Sequence, residues 1–312
     1  MADPALSDSQ VEQYWRDGFV VAPRLVGDDD IAAYDQRFED IVYERVAIDD
    51  RMLVMKDVMV AKGVIDPSSP PERIQKLQDF ELDPVLDGYC RHPRVLACVE
   101  RIIGEGVMTI HNMLINKPPN VDGRHPLHQD LLYFPFRPAD RIVASWTAMT
   151  RITKENGCLV AVPGTHRGEL VPHDNPDWEY LNGGYFGVKD VGDALDRRVH
   201  LEMEPGDTVF FHPILLHGSG RNRTDGFRRA ISAHYASVAC EWTWKIEDSA
   251  SRMYRIVSGP GAGEQWNGTR KVDEDGVDPI DFVPTGSPLK DDIRTRRDAE
   301  QAVGRSPSDR DD

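Results

Sequence analysis

The chain is poor in the features that mark membrane, secreted or nucleic-acid-binding proteins. No apolar run approaches the roughly 18 residues that a membrane-crossing helix needs, so no membrane insertion is expected. Cysteine is scarce: Cys90, Cys98, Cys158 and Cys240 are scattered, with no Cys-x-x-Cys. That argues against a disulfide framework and for reduced, buried thiols in a cytoplasmic protein. Basic charge is in deficit, 37 Lys and Arg against 53 Asp and Glu for a net −16. A nucleic-acid partner, which needs a basic face, is thereby excluded. Internal repeats are missing, as is a basic-then-apolar leader after Met1-Ala2-Asp3-Pro4, and Ser308 to Asp312 is not a peroxisomal tripeptide.

What the chain does have is 40% hydrophobic residues, enough for a sizeable core. The first hundred residues carry helical signals. Ser7 or Ser9 can cap a helix whose stripe is Val11, Tyr14 and Trp15, ended by Gly18. Phe19 to Ala22 reads as a short strand, and residues 28–47 as an amphipathic helix behind an Asp-rich first turn. Residues 52–64 look strand-like, and helices are expected near 83–90 and after Pro93.

From about residue 107 short apolar runs alternate with Gly, Pro, Asn and Asp. Strands are expected at 107–115, 127–134, 141–149, 158–162, 199–203, 207–211, 214–217 and 228–239. So many short strands at close spacing indicate a mainly β fold, a sandwich or jelly roll with flanking helices. The stretch 167–197 is a long insertion of the kind that borders sites.

The chemistry concentrates in two stretches. In Arg124 to Phe134 lies His128-Gln129-Asp130; on an extended segment the first and third side chains share a face. An imidazole and a carboxylate so placed are two-thirds of a 2-His-1-carboxylate metal site. The second stretch, Gly206 to Gly220, supplies His217 at the expected end of a short strand, followed by Gly218-Ser219-Gly220. Eleven residues later Arg228 opens another strand signal. A guanidinium near such a metal can grip the far carboxylate of a chelating dicarboxylate. His125 and His212 each adjoin a Pro and rank below His128 and His217 as ligands.

At these residues, and through Met113 to Pro119, Trp146 to Met149, Asn156 to Leu159 and Pro163 to His166, the chain resembles the phytanoyl-CoA dioxygenase family of iron(II)- and 2-oxoglutarate-dependent oxygenases. The resemblance implies a double-stranded β-helix (jelly roll, cupin-like). A single oxygenase domain would span 1–257, helical over about 1–106 with the jelly-roll core over about 107–245. Residues 258–312 would form a loop and a disordered acidic tail. It also implies iron on His128, Asp130 and His217, and 2-oxoglutarate contacts from Arg228, Ser219, Lys76, Met113 and Trp146. Taken alone, Met113 and Trp146 read equally as core.

By the family's chemistry, dioxygen is the oxidant, ascorbate an accessory reductant, and succinate and carbon dioxide the co-products. The reaction expected is hydroxylation of an unactivated C–H, with carbon 2 of a branched acyl-CoA such as phytanoyl-CoA as the target in fatty acid metabolism. Asp130 favours hydroxylation, since a small residue there would make room for halide, as in related halogenases. Tyr133 and Phe134 are candidates for an apolar substrate wall or for core, and Arg221 and Arg223 for CoA phosphates or a solvated turn. Two alternatives stand beside this: the same chemistry on a free acid or natural-product small molecule, and, more remotely, a zinc hydrolase or cupin-like isomerase.

Overall fold

The computed structural model describes residues 6–180, 185–243 and 254–266. The expected tail beyond residue 266 lies outside the described residues.

Two antiparallel sheets face each other. The larger has eight strands. Across it run Phe19–Ala22, Thr208–Phe211, Ile142–Ala148, Arg228–Ser237, Val107–Lys117, Ile74–Gln78 and Leu53–Lys56, with Arg255–Ser258 also pairing on Val107–Lys117. The smaller sheet has four strands, in the order Val199–Leu201, Leu159–Ala161, His217–Ser219, His125–His128. This is the mainly β, jelly-roll arrangement expected from the strand pattern.

Side-chain alternation gives the larger sheet two different faces. In the Arg228–Ser237 strand, Arg228, Ser232 and His234 border the space between the sheets, whereas Ile231, Ala233 and Tyr235 join the core beneath the helices. The Val107–Lys117 strand does the same: Met113, Ile115 and Lys117 line the inter-sheet space, while Leu114 lies in the helix-side core. Covering that outer face are the helices Asp8–Asp17, Asp28–Val42 and Pro93–Ile103, through Tyr14, Tyr34, Phe38, Val95, Val99 and Ile102. Ser7 caps the first of these with a reciprocal capping box to Gln10. Tyr89, from the short helix Asp87–Cys90, hydrogen-bonds to Ser145 and Thr147 on the same face (3.0 and 2.7 Å).

Three segments depart from expectation. The 127–134 run is not one strand: His125–His128 is extended, and Asp130–Tyr133 then turns into a 3-10 helix. His217 begins its strand rather than ending one, because Leu215 and His212 close a turn just before it (Leu215 N–H to His212 O, 2.9 Å). Residues 52–64 split at Asp57, which accepts from the Met59 N–H and caps the short helix Val58–Ala61. At the far end, buried Trp266 packs on Phe136 with ring centroids 5.3 Å apart, so the packed body reaches past residue 257. The cysteines are free and buried, as expected.

Candidate metal centre and its cavity

His128 and His217 face each other across two antiparallel strands. Gly218 permits the close approach: a Cβ there would stand 2.7 Å from the His125 carbonyl oxygen. Asp130, in the first position of the 3-10 helix, swings into the same space. Its Oδ1 lies 3.2 Å from His128 Nε2 and 3.6 Å from His217 Nε2. One ligand atom from each of the three residues falls within a 4.8 Å cluster, and all three residues are buried.

The protonation pattern fits a cation. His128 Nδ1 donates to the Pro126 carbonyl (2.9 Å) and His217 Nδ1 to the Leu215 carbonyl (3.0 Å). A carbonyl can only accept, so in the neutral ring the proton sits on Nδ1 and the Nε2 lone pair points inward. Burial, with His128 beside it, pushes His217 down to about 4, which keeps it neutral at ordinary pH. Asp130 accepts a hydrogen bond from His234 Nε2, which favours its ionised form. Two lone pairs and a carboxylate oxygen thus converge on one point, a repulsive arrangement that a metal ion relieves.

His234, which the sequence did not single out, supports this centre. Its Nε2 donates to Asp130 Oδ2 (2.8 Å), leaving Oδ1 to face the two histidines. Gln129 points the other way and ties the centre to the 167–197 insertion. Its amide donates to the Glu169 and Ile214 carbonyls and accepts from the Val171 N–H, while its backbone N–H donates to His173 Nε2 (3.0 Å).

The triad opens into a cavity of about 350 Å³ between the sheets. Lys76, Met113, Trp146, Ser219, Arg228, Tyr133 and Phe134 all line it, as do Lys117, His234, Tyr185 and Phe186. At the end away from the triad sits Arg228, 1% exposed. It donates to the Gly157 carbonyl (3.0 Å) and lies 5.5 Å from the Trp146 ring centroid, but its Nε has no partner. No carboxylate among the described residues is in ion-pair range of it. Burial pulls it down only to about 10, so it stays cationic. Gly157 itself is wedged against the Gly220–Arg221 backbone: φ is 88°, and a Cβ would meet the Gly220 carbonyl oxygen at 2.6 Å. Lys117 pairs with Arg228 in the ladder and donates to Ser219 Oγ (2.8 Å) and the Gly220 carbonyl. Burial first, and Arg228 second, draw Lys117 well below the usual lysine range.

Some residues singled out in the sequence stay outside this cavity. Arg221 and Arg223 line a separate pocket with Arg124, and Arg221 pairs with Asp122 at 2.9 Å. His212 bonds to Asp140 (3.1 Å) and takes no part in the triad. His125 does line the cavity, but stacks between His128 and Tyr185 at 3.8 and 3.9 Å instead of pointing a nitrogen at the centre. His234 and Lys117 are placed by the strand register and not by any motif in the sequence. His234 shares the parity of Arg228, and Lys117 is the strand-end residue opposite it.

Residues 14–230 match the family model for phytanoyl-CoA dioxygenase (PhyH). The chain is 50% identical over 239 residues to a probable phytanoyl-CoA dioxygenase of Caenorhabditis elegans, covering 74% of this chain and 76% of that protein. It is 49% identical over 241 residues to the peroxisomal phytanoyl-CoA dioxygenase of Homo sapiens, covering 76% of this chain and 70% of that one. Among solved structures, EctD from S. alaskensis with 2-oxoglutarate and 5-hydroxyectoine shares the fold. Its TM-score is 0.62 at 18% identity, over 87% of this chain and 89% of EctD. With the jelly roll, the triad and this level of identity together, the chain belongs to the phytanoyl-CoA dioxygenase family.

Proposed function

We propose that this enzyme is an iron(II)- and 2-oxoglutarate-dependent dioxygenase that hydroxylates an acyl-CoA at carbon 2 of a branched chain such as phytanoyl-CoA. One observation carries the cofactor part. A single cavity has a converging His-Asp-His set at one end and a buried arginine without a carboxylate at the other. A chelating dicarboxylate satisfies both ends at once.

His128 Nε2, Asp130 Oδ1 and His217 Nε2 would hold the metal. Arg228, through its unpartnered Nε and its remaining N–H groups, would take the distal carboxylate, with Ser219 and Lys117 beside it. Lys76, Met113 and Trp146 would wall the co-substrate. Iron with 2-oxoglutarate and dioxygen supplies the oxidising chemistry that breaks an unactivated C–H bond, with succinate and carbon dioxide as co-products. The chain's own contribution is positional. Asp130, fixed by His234, offers one oxygen to the metal. Tyr133, Phe134 and Phe186 present apolar surface beside the centre and exclude water from it.

The acyl-CoA assignment draws on the names of the relatives at about half identity and on this apolar wall. A free acid or natural-product small molecule is the second substrate class. A zinc hydrolase or cupin-like isomerase would leave the buried, acid-free Arg228 without a role. Ascorbate belongs to the same reading as accessory reductant. So does a cytoplasmic setting, supported by the free, buried cysteines and checked by fractionation of the native cell. No helix among the described residues is long and apolar enough to cross a membrane.

The test is a panel of branched and straight acyl-CoAs and their free acids, supplied with iron(II), 2-oxoglutarate and oxygen. Succinate and a product one oxygen heavier are expected in equal amounts with an acyl-CoA. Turnover confined to free acids would reverse the substrate assignment, and turnover without oxygen would overturn the reaction class.

A further inference from the structure

Beside the catalytic cavity lies a second pocket, of about 420 Å³, that the reaction does not use. In a chain of net charge −16, three guanidinium groups border it: Arg124, Arg221 and Arg223. Two are held in place by one carboxylate. Arg124 makes a paired contact to Asp122 (2.6 and 2.8 Å), and Arg221 reaches Asp122 Oδ2 (2.9 Å). Arg223 has no acidic partner among the described residues. Buried Asn222, between the two loop arginines, pins the turn by donating to the carbonyls of Lys117, Pro118 and Gly226, so its neighbours on either side project outward. The insertion adds aromatic surface: Trp178 stacks on Arg124 at 4.0 Å, and Tyr180 lines the pocket. Glu179 is the second acid at its wall, engaged by the Tyr180 hydroxyl (2.9 Å), which leaves the lining one positive charge in excess.

The two cavities share a wall. Gly123 lines the catalytic cavity, whereas Asp122 and Arg124, on either side of it, line the second pocket. Arg124 comes four residues before His128, and Arg221 four residues after His217, just beyond the ends of strands that run antiparallel. Both therefore stand roughly 13 Å from the triad along extended chain, within reach of a pantetheine arm.

We propose that this pocket seats the phosphorylated nucleotide end of the acyl-CoA whose acyl end lies in the triad cavity. The assignment rests on the acyl-CoA reading above. Arg221 and Arg223 grip phosphate oxygens, and the Arg124–Trp178 stack with Tyr180 gives the adenine a flat surface.

The test uses the full chain and its Arg221→Ala/Arg223→Ala double variant, both exposed positions. Calorimetry with adenosine 3′,5′-bisphosphate should show salt-sensitive binding to the wild type, weaker binding of inorganic phosphate and of adenosine alone, and an about tenfold loss of bisphosphate affinity in the variant. In turnover, KM for the acyl-CoA should rise by a similar factor, with kcat and the KM for the matching acyl-pantetheine unchanged. No bisphosphate binding to the wild type, or equal binding to both proteins, overturns the site. Turnover of acyl-CoA with the same KM in both proteins overturns it too, while leaving the substrate reading intact. Failure of every acyl thioester overturns the substrate reading and this assignment with it.

Discussion

Arg228 and Arg229 are neighbours of the same residue type, both buried, on one strand. Everything else about them differs. Arg229 points to the helix side, where Asp35 and Glu39 pair with it at 2.7 and 2.6 Å, Asn116 accepts from it at 3.1 Å, and the Phe38 ring lies 4.6 Å away. Arg228 points between the sheets, with a carbonyl, an aromatic face and no acid. One arginine is satisfied by the protein; the other awaits a partner. Burial and charge alone do not separate a structural residue from a ligand-binding one, but the ledger of partners does. Parity along the strand decides which ledger a residue falls into.

The largest expected effect is on the open side. Arg228→Ala should weaken 2-oxoglutarate binding by about a hundredfold or more, since it removes one member of a desolvated charge pair. Thermal stability should hold or rise, because an unpaired buried cation is removed. Equilibrium binding to the metal-loaded protein and a melting curve check both halves; a large fall in Tm with unchanged affinity would reverse the contrast. Next is His234→Ala, three steps of alternation further along the same face. Losing the hold on Asp130 Oδ2 should cost about 10- to 100-fold in metal affinity, read by calorimetric titration with manganese(II), and His234→Gln should recover part of it.

On the closed side the readout changes. Arg229→Ala should lower stability by about 2 kcal/mol, through lost charge-assisted hydrogen bonds and lost packing on Phe38, with co-substrate affinity within about twofold of wild type. Denaturant unfolding and the same binding assay test this. The smallest effect is on pH dependence. Burial pushes His173 and His212 down to about 4 from 6.5. Below 6.5 the unfolded chain takes up protons that these folded imidazoles refuse. Their contribution to stability is therefore full above 6.5 and lost as pH falls toward 4. Tm of the apo protein should drop across that window, and His212→Gln should flatten the drop; an unchanged profile would count against a neutral buried His212.

The sequence made the triad, Arg228 and the strand framework legible because each rests on short-range patterns: a period of two, a His-x-Asp, a histidine before glycines. What it obscured came from local competition and from pairing. Asp130 reaches the centre from a 3-10 turn, since the Leu131 N–H bonds to the Pro213 carbonyl and not to a neighbouring strand. Asp57 caps a helix in the middle of an apolar run that reads as one strand. Lys117 and His234 become visible only once the register sets Lys117 opposite Arg228 and brings His234 over Asp130. Arg221 and Arg223 sit close to Arg228 in sequence, yet the Asn222 turn carries them to a different pocket.

The central claim is that one cavity binds iron at the triad and 2-oxoglutarate between the triad and Arg228. Anaerobic titration of 2-oxoglutarate into the iron(II)-loaded protein tests it most directly. A visible charge-transfer band should grow to one equivalent in the wild type, be abolished in His217→Ala, and need far more 2-oxoglutarate in Arg228→Ala with iron binding retained. No band in the wild type, or the same titration in all three proteins, would contradict the account.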